Sequence, residues 1–225
     1  MIKLLIFDLD GTLADTGQDI TNALNYALKP FHEREYSLDE TKAMVGSGIS
    51  RLLESLIPPD PSLPNGESGN PKKIVTARFL EYYNDHLIDN TVAYPSVKET
   101  LSQLHGFTKA VISNKREIYS KRVLEGLGII EYFDCVLGSD SVREKKPSPV
   151  PILDLLEKYD ISKKESVIIG DSNFDVEAGR AAGIRVIGVT YGFRTRKDLE
   201  GADYIIDRFD ELLTVIPRIS NDESR

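Results

Sequence analysis

Two carboxylates stand two residues apart in Asp8-Leu9-Asp10-Gly11-Thr12, directly after the apolar run Leu4 to Phe7. At the end of a strand both can lean toward one ligand, while Gly11 lets the chain turn sharply into the next element. Such a pair can divide the work of phosphoryl chemistry. One ionised carboxylate attacks phosphorus, and its neighbour, raised in proton affinity by the nearby charge, protonates the leaving oxygen. A calcium loop does not fit: the glycine comes too early, no acid occupies the closing position, and the flank is a strand instead of a helix. The other alternative is an acidic turn that merely ends a strand. By average residue frequencies Asp-x-Asp-Gly-Thr arises by accident in on the order of one chain in several hundred of this length.

Three more clusters follow apolar runs or approach helices. Ser113-Asn114 closes the run Ala110 to Ile112. There a side chain and backbone N–H groups can be aimed at a phosphoryl oxygen, although a Ser-Asn pair in such a place also serves as a plain helix cap. Lys145-Lys146-Pro147-Ser148-Pro149 precedes a helix beginning near Val150. Its proline-bounded approach can fix one ammonium beside a transferring phosphoryl group, and a solvated basic turn is the alternative. Gly170-Asp171-Ser172-Asn173-Phe174-Asp175 follows Val167 to Ile169 and supplies a second pair of carboxylates. Hard oxygen ligands of that kind suit magnesium; otherwise Asp171 ends a strand and Asp175 starts a helix near its positive pole.

The elements that must position these clusters read as strand and helix in alternation. Leu4 to Phe7, Lys109 to Ile112, Cys135 to Leu137, Val167 to Ile169 and Arg185 to Val189 are short apolar runs ending in turns. Helical patterns over Ile118 to Leu127, Val150 to Tyr159 and Phe174 to Ala182 lie between them. That order predicts a parallel sheet covered on both faces, with all four clusters at C-terminal strand edges, where open α/β sheets bind ligands. From about Thr16 to Asn90 the alternation stops and only helical patterns appear: Ile20, Ala23, Leu24, Ala27 and Leu28; a capping box of Ser37 with Glu40; Ile49, Leu52, Leu53 and Leu56; and Ile74, Val75, Phe79, Tyr82 and Tyr83. Within it Pro58 to Pro71 reads as an exposed loop. Ser220 to Arg225 reads as a frayed tail.

Composition narrows the classes. Lys plus Arg total 28 against 36 Asp plus Glu, a net charge of −8 that argues against a nucleic-acid surface. An acidic chain that takes an anionic substrate must offset the repulsion locally, with a metal ion, a lysine or aimed N–H groups. The single Cys135 excludes an internal disulfide and, with no zinc-spaced cluster, implies a reducing, cytoplasmic setting. Cys135 itself reads as a buried small apolar residue. The N-terminal apolar run is too short for a signal peptide or a membrane span. His32, His86 and His105 lie outside the clusters and read as surface or packing residues.

As a set, in this order and spacing, Asp8 to Thr16, Ser113 to Lys115, Lys146 to Pro149 and Gly170 to Gly179 resemble the four motifs of the haloacid dehalogenase superfamily. The chain looks like the branch with a helical cap after the first motif, the phosphoglycolate phosphatase and β-phosphoglucomutase group. The resemblance implies an α/β fold, a Rossmann-like parallel sheet core over residues 1–15 and 91–225 with an inserted α-helical cap domain over 16–90. It implies Asp8 as nucleophile and Asp10 as acid and base, with Mg2+ held by Asp8, the backbone carbonyl of Asp10 and Asp171. Asp175 is then ligated through water or orients Lys146, while Leu9, Thr12, Ser113, Asn114 and Lys146 bind or frame the phosphoryl group. The second acid at Asp10 argues against carbon–halogen cleavage, and Thr12, where mutases of this group usually carry Val or Ile, argues for hydrolysis.

The substrate implied is a small phosphorylated metabolite, phosphoglycolate first, with the protein a monomer or homodimer. In capped relatives the insertion chooses the leaving alcohol. Here Gly46-Ser47-Gly48 and Arg51 are the candidates for a carboxylate or second phosphate, against an ordinary helix start with an exposed arginine. Hinges are expected near Asp15 and Asn90. The competing readings are a sugar-phosphate mutase using the same aspartyl phosphate, and a non-catalytic magnesium or phosphate-binding module.

Overall fold

The computed structural model describes residues 1–31, 34–46, 48, 52, 53, 56 and 71–222. In chain order its strands are β1 (Leu4–Phe7), β2 (Ala14–Asp15), β3 (Val92–Ala93), β4 (Thr108–Ile112), β5 (Cys135–Leu137), β6 (Ser166–Gly170), β7 (Arg185–Val189) and β8 (Tyr204–Ile206). The helices are α1 (Gly17–Leu28), α2 (Leu38–Met44), α3 (Pro71–Asp85), α4 (Val97–Gln103), α5 (Glu117–Gly126), α6 (Val150–Tyr159), α7 (Asn173–Ala182) and α8 (Leu212–Asp222).

β1 is buried along its whole length, and its side chains alternate between two hydrophobic clusters. Leu5 and Phe7 enter one and Leu4 and Ile6 the other, as period-two geometry requires of a strand covered on both faces. Six strands form one parallel sheet in the order β5-β4-β1-β6-β7-β8. The chain therefore runs from β1 outward through β4 to β5, then crosses to β6 on β1's other side. That reversal at β1 opens a crevice beyond its C-terminal end.

The five strands read from the sequence are present, with β4 and β6 extended by a residue or two. The structure adds the edge strand β8, the short pair β2–β3, and helices α4 and α8. Two expectations are corrected. Ser220 lies within α8, next to the buried Ile219, and its hydroxyl accepts a hydrogen bond from the Ile2 N–H at 3.2 Å, so the chain is not frayed from there. Cys135 is half-buried at the sheet edge, with the Lys158 ammonium 3.4 Å from its sulfur.

Among the described residues, 16–90 contribute helix and no strand. α1 packs along α3 and also meets α2, and the apolar stripe Ile20, Ala23, Leu24, Ala27 and Leu28 is buried together with Val75, Phe79 and Tyr83. Leu52, Leu53 and Leu56 are helical, with Leu52 and Leu53 buried. α2 opens on the Ser37–Glu40 capping box. Of the expected loop Pro58 to Pro71, residues 58–70 lie outside the described residues, as does His32, while Pro71 already opens α3. Nowhere among the described residues is a helix long and apolar enough to cross a membrane.

Two devices tie the start of this helical stretch to its end. β2 and β3 pair antiparallel, Ala14 with Ala93 and Asp15 with Val92. Beside them the buried Asp19, in the first turn of α1, takes the backbone N–H groups of both Asn90 and Thr91 and one side-chain donor from each, at 2.8–3.0 Å. Asp19→Ala leaves the buried Thr91 donors without their acceptor while the exposed Asn90 turns to water, and the expected loss is about 1–3 kcal/mol of unfolding free energy, read from urea denaturation. A loss below about 0.5 kcal/mol would show that the clasp carries no stability.

Candidate active site

Asp8 follows β1 at the crevice, and its N–H donates to the Ile169 carbonyl at 2.9 Å, fixing it against β6. Ser113 stands at the end of the neighbouring β4, tied by its N–H to Leu137 at 3.0 Å, and Asp171 follows β6. From the turn before α6, Lys146 reaches between them. Its Nζ lies 2.8 Å from Asp8 Oδ1 and 2.6 Å from Asp175 Oδ1, with all three side chains buried. The other oxygen of Asp175 accepts from the N–H and hydroxyl of Ser172, a capping box at the start of α7. Asp175 is thus held on both oxygens, and in turn holds Lys146.

Negative charge exceeds positive at this point. Oxygens of Asp8, Asp171 and Asp175 lie within 4.8 Å of one another, and Lys146 is the cation that touches two of them. Burial pushes the Asp8 carboxyl up to about 7, with Lys146 opposing the rise and Asp175 and Asp10 adding to it. Burial likewise holds Asp171 well above the usual carboxylate range, reinforced by Asp8 and Asp175 and opposed by the N–H of Phe193, which donates to its Oδ2 at 2.7 Å. For Lys146 burial would lower the value, but Asp175 and Asp8 outweigh it and keep the ammonium charged. The donor set fits a small divalent cation: hard oxygens, excess negative charge, and space kept open around Asp171. A Cβ at Gly11, whose φ is +89°, or at Gly192 would overlap the Asp171 carboxylate.

The remaining residues singled out in the sequence fall as follows. Asp10 lines the same cavity as Asp8, with its Oδ1 held by Thr16 Oγ1 and Lys115 Nζ, each at 2.6 Å. Thr12 is buried, its hydroxyl 3.5 Å from Asp171 Oδ1. Leu9 sends its side chain into the core, so only its backbone faces the question of ligand binding. The Asn114 side chain donates to the Gly46 carbonyl at 2.7 Å and the Lys146 carbonyl at 2.9 Å, which joins the helical insertion, β4 and the lysine turn. Gly48 lines the cavity. Arg51 lies outside the described residues.

This constellation at the ends of β1, β4 and β6 coincides with a family pattern: the model of haloacid dehalogenase-like hydrolases matches residues 5–189. The chain belongs to that family. Two similar curated members are phosphoglycolate phosphatases. One from Colwellia psychrerythraea is 33% identical over 96% of this chain and 97% of that protein. One from Nitrosospira multiformis is 35% identical over 90% of this chain and 89% of that protein. Among solved structures, a predicted phosphoglycolate phosphatase from Haemophilus somnus superposes with a TM-score of 0.86 at 30% identity, covering 96% of this chain and 98% of the other.

Within this haloacid dehalogenase-like hydrolase, two contacts had no place in the sequence reading. Lys115 Nζ donates to Tyr83 Oη at 2.8 Å as well as to Asp10, so Tyr83 does more than pack the insertion. Arg194, after β7, donates to the carbonyls of Ala43 and Val45 at the end of α2. Lys115 carried a usable signal, a cation directly after Ser113-Asn114 at a strand end; Arg194 lies in a loop and carried none.

Replacing Lys146 with Met leaves Asp8 and Asp175 without their shared cation, beside Asp171. The expected result, in chelator at neutral pH, is a loss of about 3 kcal/mol of unfolding free energy in urea titrations. A loss below about 1 kcal/mol would mean that the acids tolerate each other without it.

Proposed function

We propose that the chain is a magnesium-dependent phosphatase of small phosphate monoesters, phosphoglycolate first among them, working through a phosphoryl group carried on Asp8. The observation that supports this most is Lys146, fixed by Asp175 and set 2.8 Å from Asp8 at the strand edge beside Asp171. A carboxylate nucleophile for an anionic ester needs such charge placed in advance, because approach of two anions is otherwise opposed. The phosphoglycolate phosphatases of Colwellia and Nitrosospira, similar along most of their length, support the choice of substrate.

In this reading an Asp8 oxygen attacks phosphorus in line with the departing alcohol. Asp10 protonates that alcohol's oxygen, then takes a proton from the water that cleaves the acyl phosphate. Ser113, the backbone N–H of Asn114 and Lys146 hold the other phosphoryl oxygens, with Leu9 contributing backbone and Thr12 steadying the acid loop. Asp8, the carbonyl of Asp10 and Asp171 would hold Mg2+, with Asp175 behind them since both its oxygens are already engaged. When bound, the ion supplies positive charge that offsets the nucleophile and the phosphoryl oxygens. Residues 16–90 act as a cap over a core of 1–15 and 91–225, excluding bulk water from the reacting group.

Phosphate release from phosphoglycolate, sugar phosphates, nucleotides and pyrophosphate, assayed with magnesium, is expected to be highest for phosphoglycolate and to stop with chelator. Asp8→Asn is expected to abolish it, and Asp10→Asn to lower kcat by roughly 100- to 10,000-fold. Release that survives Asp8→Asn defeats the mechanism. A magnesium-insensitive rate defeats the metal assignment alone.

A further inference from the structure

Lys115 sits in the turn after β4, two residues after Ser113, with its side chain buried. Its ammonium has three N–H donors, and among the described residues Asp10 Oδ1 and Tyr83 Oη take two. The cavity that Lys115 shares with Asp8 and Asp10 carries, on the side of the insertion, the apolar side chains of Ile20, Leu52, Phe79 and Leu80, which offer no acceptor. The other cations of this cavity have other engagements. Lys146 lies between Asp8 and Asp175, Arg194 caps α2, and Arg116 pairs with Asp140 at 3.6 Å, half exposed. A cation in apolar surroundings with a donor to spare selects a strong acceptor, an anion above all.

We infer that Lys115 is a specificity residue that reads the leaving alcohol, its third N–H donating to a carboxylate borne on the carbon next to the phosphate ester oxygen. The inference rests on the phosphatase reading of Asp8 and Asp10 and deepens it. A departing oxygen hydrogen-bonded to Asp10 stands roughly 5–6 Å from Lys115 Nζ, counting one hydrogen bond and the width of the carboxylate. That span is filled by a carboxyl group one carbon away plus its own hydrogen bond. A neutral alcohol of the same size offers that third donor no acceptor, which costs binding. Tyr83, delivered by α3 of the insertion, is a positioning residue: its hydroxyl and ring, the latter 5.1 Å from Nζ, aim the ammonium into the cavity.

The test compares 2-phosphoglycolate with ethyl phosphate, which has the same two-carbon alcohol without the carboxylate. In magnesium-containing buffer the unaltered chain is expected to favour phosphoglycolate in kcat/KM. Lys115→Gln is expected to reduce that preference roughly 10- to 100-fold, mainly by raising KM for phosphoglycolate. Lys115→Arg is expected to restore part of it, and Tyr83→Phe to reduce it by a smaller factor. A preference unchanged in Lys115→Gln and in Tyr83→Phe, with ethyl phosphate still hydrolysed, overturns the role of Lys115 and leaves the phosphatase reading standing. Release of phosphate from neither compound by the unaltered chain overturns both.

Discussion

Everything at the strand edge depends on one buried ammonium set among acids. Without Lys146, Asp8, Asp171 and Asp175 would be three carboxylates crowded into a site that water scarcely enters, and the field there would oppose both folding and the approach of any anion. With it, part of the repulsion is offset and the rest becomes a demand for further positive charge. The sheet meets this constraint through geometry. β1 and β6 end side by side, so Asp8 and Asp171 meet, while the α7 capping box turns Asp175 toward the lysine. Even the glycines beside Asp171 serve it, by leaving that carboxylate room.

A second ion pair, Lys115 with Asp10, lies in the same cavity and connects the core to the insertion through Tyr83. Asn114 and Arg194 make parallel connections to the carbonyls of Gly46, Ala43 and Val45. The helices above the sheet are thus fastened by polar groups that belong to the site or its rim. Any motion of the insertion must exchange these bonds for bonds to water or to ligand, so its position is coupled to the state of the residues around Asp10.

How much of this could be read from the chain follows from what kind of physics places each residue. The central strands were legible because burial on both faces leaves continuous apolar runs, and the ends of β1, β5 and β7 fell where the runs stop. Asp8, Asp10, Asp171 and Asp175 were legible because strand ends and helix starts bring residues of fixed local spacing to one edge. β8 was not, since only the short turn Arg196–Leu199 stands between it and β7 and no alternation of strand and helix announces it, and α8 was obscured by Pro217 and a polar tail. Lys115 with Tyr83, residues 32 positions apart, and Asp19 with Asn90 and Thr91 depend on how separate helices pack, which no local pattern encodes.

The clasp at Asp19 has a topological consequence. Because the chain departs from the sheet and returns to it at adjoining points, the more than seventy intervening residues span almost no distance as the sheet experiences them. Entropy of closing such an excursion grows only with the logarithm of its length, so residues can be added or removed far from the junction at small thermodynamic expense. The parallel sheet is therefore a fixed socket in the mechanical sense, and the helical excursion is an exchangeable fitting. Different fittings plugged into the same pair of contacts would present different walls to the same phosphoryl chemistry.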